Sequence, residues 1–341
     1  MGQSWPWSKS VRVEMEDPVK KEKNRPLGVL TFALLLMLSL VSPVFLTTAD
    51  ETNGGVVDSA PPPPPPAPAL VNLEDHEVLE PLTYPSILEQ NTIVGYYGNP
   101  NSNRMGILGE YSKAALAERL IQTAAAYDEV NGDRGVIRAF HLIFATVWAD
   151  GQSGRLSPAL IRDYIRFAQD NGMVVILDHQ IGIGDPEQSF REMLPYLLEG
   201  PVHLAIDPEW RTTQPGEEIG WVYAEEVNRL QEIMDDYLQE NGVTERRMLL
   251  VHQFHPKMIQ NRDEVRTDYP LVDLVLNADG FGPPALKVSS WRHSVLAENI
   301  PLKGFKLFYP KPWKTFGTDI PLMSPAQVME LVPQPVYINY Q

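Results

Sequence analysis

Eight short apolar runs alternate with amphipathic stretches between residues 92 and 340, and this alternation limits the fold more than any other feature. The runs are 92–98, 136–148, 173–180, 203–209, 248–254, 272–279, 304–309 and 336–340. Helical patterns lie between most of them. One opens at Ser157-Pro158, a capping residue followed by proline at the first helical position, and stops near Gly172. A second covers about 222–240 and stops at Gly242, and a third opens at Ser324-Pro325. Strands separated by helices pair in parallel through right-handed crossovers. Eight such units in about 260 residues have the size of a (β/α)8 TIM-like barrel. An open doubly wound sheet ranks second, because no glycine-rich phosphate turn follows the first run. The last run reaches residue 340 of 341, so the eighth helix is absent and 79–90 is expected to cover that seam.

Charge and hydropathy divide the rest of the chain. Residues 1–27 carry six bases against four acids and read as a cytoplasmic tail. Residues 28–49 are apolar and uncharged, long enough to cross the roughly 30 Å core of a lipid bilayer as a helix. They are expected to be a signal anchor; Thr47-Thr48-Ala49 also resembles the cleavage site of a signal peptide. Residues 50–77 hold six acids, no base and the run Pro61–Pro66, an extended polyproline II spacer. Bases before the span and acids after it put the 78–341 barrel outside the cytoplasm, at the cell membrane. The sequence has no cysteine, which removes disulfides, thiolate metal sites and a cysteine nucleophile. A net charge of −16 excludes nucleic acid as a partner, because no cationic field is available to release phosphate counterions.

Barrel active sites lie at the C-terminal ends of the strands. The fourth run ends His203-Leu204-Ala205-Ile206-Asp207-Pro208-Glu209-Trp210. Read as a strand to its end, it turns His203, Ala205, Asp207 and Glu209 to the barrel axis, with the α-carbons of Asp207 and Glu209 about 7 Å apart. Crowded carboxylates push each other's pKa values apart, so one can act as acid while the other stays ionised. These two are the expected catalytic residues. The expected substrate-binding residues on the same rim are Asp178 and Gln180 (third run), His252 (fifth), Asp279 (sixth), Lys306 and Tyr309 (seventh), Tyr97 (first), Tyr340 (eighth) and Trp210. Tyr96, Asn277, Tyr337 and Asn339 also fall on these strand ends, whereas His141 sits mid-strand and reads as a core group. The long loops 210–220 and 310–323, with Trp313 in the second, can carry aromatic rings to stack on sugars.

The segments VGYYGNP, LDHQIG, HLAIDPEW, LVHQFHP, ADGFGPP and the ending INYQ resemble a family of exported bacterial proteins, which implies export and a single domain over most of 92–341. Asp207-x-Glu209 is similar to the D-x-E ending of the fourth strand in chitinase-type glycoside hydrolases of family 18, and lysozyme-type family 25 barrels also place acids there. That resemblance implies Glu209 as the general acid and Asp207 as the group orienting a substrate N-acetyl group, which attacks in place of a protein nucleophile. The chitinase motif has further aspartates upstream, where this chain has His203 and Ala205.

The expected function is therefore a membrane-tethered glycoside hydrolase acting on cell-wall or extracellular polysaccharide. Two alternatives stand beside it. One is a non-catalytic envelope protein that binds glycan on the same rim. The other is a metal-dependent hydrolase built on Asp178, Asp207, Glu209, His252 and Asp279. No H-E-x-x-H or similar local motif is present, so the first reading takes no metal and no cofactor.

Overall fold

The computed structural model describes residues 84–341 except 313 and 315. The tail, the 28–49 span and the proline-rich spacer lie outside the described residues. Among the described residues no helix is long and apolar enough to cross a membrane.

Eight parallel strands close into a barrel: β1 Asn91–Gly98, β2 Gly135–Val147, β3 Met173–Gln180, β4 Val202–Asp207, β5 Arg247–Gln253, β6 Val272–Ala278, β7 Leu302–Leu307 and β8 Tyr337–Tyr340. Each strand pairs with its neighbours in chain order, and β1 closes the ring by pairing with both β2 and β8. The helices α1 Lys113–Asp128, α2 Pro158–Asp170, α3 Pro186–Arg191, α4 Ala224–Glu240, α5 Pro284–Val295 and α6 Pro325–Met329 run outside it. The TIM-like barrel expected from the alternation is the fold observed.

Local chemistry explains the boundaries. The hydroxyls of Ser112, Ser157 and Ser324 accept from the backbone N–H groups of Ala115, Leu160 and Gln327, each at 3.3 Å. Each satisfies one of the N–H groups a helix leaves unpaired at its start. Gly172 and Gly242 follow α2 and α4 at φ +60° and +68°, the left-handed conformation that ends a helix and suits glycine. Strand β3 is buried along its whole length, as expected for a parallel strand covered on both faces. The connection from β5 to β6 holds no α-helix; it has two 3-10 turns, Pro256–Met258 and Arg262–Glu264, around a short strand Ile259–Gln260 that pairs with Val222–Tyr223.

There are two apolar cores. The larger lies between strands and helices and includes Leu116 and Leu120 of α1, Ile161 of α2 and Trp291 of α5. Burying a side chain of this size contributes about 1.5–3 kcal/mol. The smaller fills the lower half of the barrel with Ile93, Ala139, Ile176, Ala205, Leu250, Val275 and Tyr337.

The seam differs from expectation. Residues 84–90 cross the N-terminal mouth of the barrel instead of flanking β8. Leu88 plugs the interior core, Pro85 accepts from the Arg246 N–H at 3.0 Å, and Ser86 donates to Asp273. The outer face of the β8–β1 seam is covered by α1 and by tyrosines. The Tyr127 and Tyr340 hydroxyls are 2.7 Å apart, and Tyr96 bonds Thr123 at 2.8 Å. This packing covers the outer face of β8.

Candidate active site

Above the interior core the barrel turns polar. The side chains of Tyr97, His141, Asp178, Asp207, His252, Asn277, Lys306 and Asn339 are buried at this level, with Asp279 just past β6. Strand alternation puts them there: on β3, Asp178 and Gln180 follow Ile176 on the inward face, and on β5 His252 follows Leu250.

Asp178 is central. Its Oδ2 accepts from the Tyr97 hydroxyl at 2.9 Å and stands 3.6 Å from Nε2 of His252 and 3.8 Å from Nε2 of His141. The Nδ1 of His252 lies 3.1 Å from Oδ2 of Asp279, and the Nδ1 of His141 lies 2.6 Å from the Tyr337 hydroxyl. The Lys306 ammonium sits 3.8 Å over the Tyr97 ring and 3.7 Å from Asp279.

The predicted acid pair stands at the top of this cluster, by a different local geometry. Strand β4 ends at Asp207, and Pro208–Trp210 form a 3-10 turn. Proline has no N–H to continue the ladder, so the chain leaves the sheet there. Asp207 caps the turn: its Oδ1 accepts from the Glu209 N–H at 3.2 Å and its Oδ2 from the Trp210 indole at 3.0 Å. Glu209 is half-buried over the other acids. Burial, then the charges of Asp207 and Asp279, push its carboxyl well above the usual range, with Lys306 opposing. Burial also raises Asp207, to about 7, against the pull of His252. Asp279 goes the other way: the His252 hydrogen bond and Lys306 outweigh burial and hold it below its ordinary value.

The other predicted residues divide. Gln180 is inside, but its Oε1 accepts from the Val147 N–H at 2.9 Å, just beyond a register shift in β2. Trp210 holds Asp207 through its indole. Tyr309 and Tyr340 lie outside the barrel wall, stacked at 5.0 Å beside Tyr96 and Tyr127. His203 is at the bottom, where its Nδ1 accepts from the Met248 N–H at 2.9 Å, and it lines a hollow of about 490 Å³ that holds none of the predicted residues. Trp313 lies outside the described residues. In the same loop Lys311 pairs with Glu110, tying 310–323 to the loop after β1.

Two features escaped the sequence. His141 belongs to the cluster, because the β1–β2 register sets it beside Tyr97. Lys287 is a buried ammonium that donates to the carbonyls of Gly280 and Lys306 and lies 3.5 Å from Asp319. It ties the loop after β6 to β7, and burial lowers its pKa to about 8. A lone lysine in a helix gives no sign that it will point inward.

No protein-family model and no curated protein sequence matches the chain. Among solved structures, a GH18 chitinase from Pseudoalteromonas aurantia is similar at 12% identity and a TM-score of 0.40, over 73% of this chain and 94% of that one. The ICChI chitinase from Ipomoea carnea is similar at 13% identity and 0.40, over 72% and 93%. An HpcH/HpaI aldolase from Desulfitobacterium hafniense is similar at 10% identity and 0.37, over 74% and 87%. These solved barrels, glycoside hydrolases among them, are weakly similar to this chain.

Proposed function

We propose that the barrel is a glycoside hydrolase acting on cell-wall or extracellular polysaccharide. Residues 28–49 anchor it in the membrane and 50–77 space it from the lipid. One observation carries the reading. Two carboxyl groups at the end of β4 share a buried rim; burial and the charges of Asp207 and Asp279 push Glu209 well above the usual carboxylate range, and Asp207 is fixed by two donors. A neutral carboxylic acid beside a held carboxylate is the arrangement that glycosidic cleavage requires.

Glu209 gives its proton to the glycosidic oxygen as the bond to the anomeric carbon breaks. Asp207, ionised, stabilises the positive charge that develops on the sugar. With a 2-acetamido sugar it also orients the amide, whose oxygen attacks the anomeric carbon. The deprotonated Glu209 then takes a proton from the water that opens the intermediate, which restores the starting state. Trp210 keeps Asp207 in place, and Asp279 and Lys306 offer an acceptor and a donor to sugar hydroxyls. Tyr309 and Tyr340, on the outer wall, are left to packing.

The test is release of reducing ends from chitin oligomers and peptidoglycan by the full chain, beside Glu209→Gln. Release by the wild type, lost in the folded variant, supports the reading. Glycan binding without turnover in both proteins would replace the enzyme with a glycan-binding envelope protein.

A further inference from the structure

The middle of the barrel holds polar atoms that the fold leaves unanswered. Nε2 of His141, Nε2 of His252 and Oδ1 of Asp178 are buried and have no hydrogen-bond partner, and Oδ1 of Asp279 and Oδ1 of Asn277 beside them are in the same state. An unpaired buried polar atom costs about 1–3 kcal/mol. Three of these residues, His141, Asp178 and His252, bring ligand atoms within 4.8 Å of one another and call for a common occupant.

We propose that His141, His252 and Asp178 form a binding site for a divalent transition metal ion, of which Zn2+ is the representative. The site goes beyond the acid pair and does not depend on it. It also reassigns Asp178 and His252 from substrate contact to ligation.

Two observations support it. The first is spacing. One ligand atom from each residue lies within 4.8 Å of the others, and the two Nε2 atoms stand 3.6 and 3.8 Å from Oδ2 of Asp178. Ligands about 2.1 Å from a tetrahedral ion stand about 3.4 Å apart. The two histidine–aspartate distances are already within a few tenths of an ångström of that spacing.

The second is the outer arrangement. A metal-bound histidine turns its other ring nitrogen to a carboxylate or another oxygen, which fixes the tautomer that leaves the ligating nitrogen bare. Both histidines do this: Nδ1 of His252 faces Asp279 at 3.1 Å, and Nδ1 of His141 faces the Tyr337 hydroxyl at 2.6 Å. Asp178 is oriented by the Tyr97 hydroxyl.

The donor set separates metals. Two imidazoles and a carboxylate suit Zn2+, Fe2+ or Co2+, whereas Mg2+ and Ca2+ prefer all-oxygen shells.

The experiment strips the full chain with chelator and titrates it with Zn2+ and, separately, Co2+. The expected result is one equivalent bound, a visible Co2+ absorption typical of a four- or five-coordinate nitrogen and oxygen site, and a raised Tm. His141→Gln and His252→Gln abolish the Co2+ band. Asp279→Asn, acting through His252, weakens binding about 10- to 100-fold. His255→Ala and His293→Ala, both on exposed histidines, leave it unchanged. If a buried variant fails to fold, stoichiometry and the Co2+ band of the wild type still decide. No bound metal, or binding that disappears with His255 or His293, overturns the proposal. Neither readout uses glycan hydrolysis, so the metal site and the acid pair stand or fall separately.

Discussion

Asp207 and Glu209 are two residues apart, yet they are held differently. Asp207 accepts two hydrogen bonds and burial raises its carboxyl to about 7, whereas burial and the charges of Asp207 and Asp279 push Glu209 well above the usual range. Glu209→Gln is expected to lower kcat about 10²- to 10⁴-fold, the usual scale for a general acid, in a reducing-end assay. The same change should stabilise the fold. A carboxyl whose pKa rises on folding favours the folded state at low pH, and that contribution is lost as pH climbs towards the raised value. At pH 7–8 the variant should melt a few degrees higher, from a gain on the order of 1 kcal/mol, with little difference near pH 4. Trp210→Phe removes the indole donor to Asp207. It should cost about 10- to 100-fold in kcat, the worth of one hydrogen bond to a charged group. It should also move the acidic limb of the pH profile upward from about 7, because ionised Asp207 loses support. Asp178, His252, Asp279 and Lys306 face that group and set where the limb begins. A limb that stays put would show that the indole is only packing.

At the scale of elements, the strands were readable because parallel strands covered on both faces are apolar runs bounded by glycine, proline and polar residues. All eight fall within two residues of their expected ends. Those two residues matter at β4, where alternation reached Glu209 although a 3-10 turn places it. At β8 the end coincides but the parity decides: its inward residues are Tyr337 and Asn339, so Tyr340 faces α1. His141 could not be found from sequence, because one histidine in a strand carries no signal until register sets it beside Tyr97 and Asp178. Gly304 shows the same dependence on register. A Cβ there would stand 2.5 Å from Oδ1 of Asn277 and 3.1 Å from the Tyr337 ring. Gly304→Ala should therefore destabilise the barrel by about 1–3 kcal/mol, the range for overpacking, in a denaturant titration. An unchanged midpoint would mean that Asn277 moves freely.

For the whole molecule, closure was readable from the count of units, but the way the ends are sealed was not. Residues 84–90 lie under the barrel because Leu88 fits the interior core and Asp273 gathers Ser86 and Arg246. These contacts join residues far apart in the chain, which no local pattern reports. Leu88→Ala should cost about 2–4 kcal/mol in the same titration, and a cost below 1 kcal/mol would show that the segment is not part of the core. Under the proposed function the barrel is an enzyme held outside the membrane, with Glu209 as the protonated acid at its catalytic end. That protonation is the claim on which the account turns. The direct measurement is an infrared titration of the full chain, with Glu209→Gln as the difference reference. The account predicts a protonated carboxyl band at pH 7 that is missing from the variant and fades only at higher pH. A Glu209 that titrates near 4.3, as an exposed glutamate does, would contradict it.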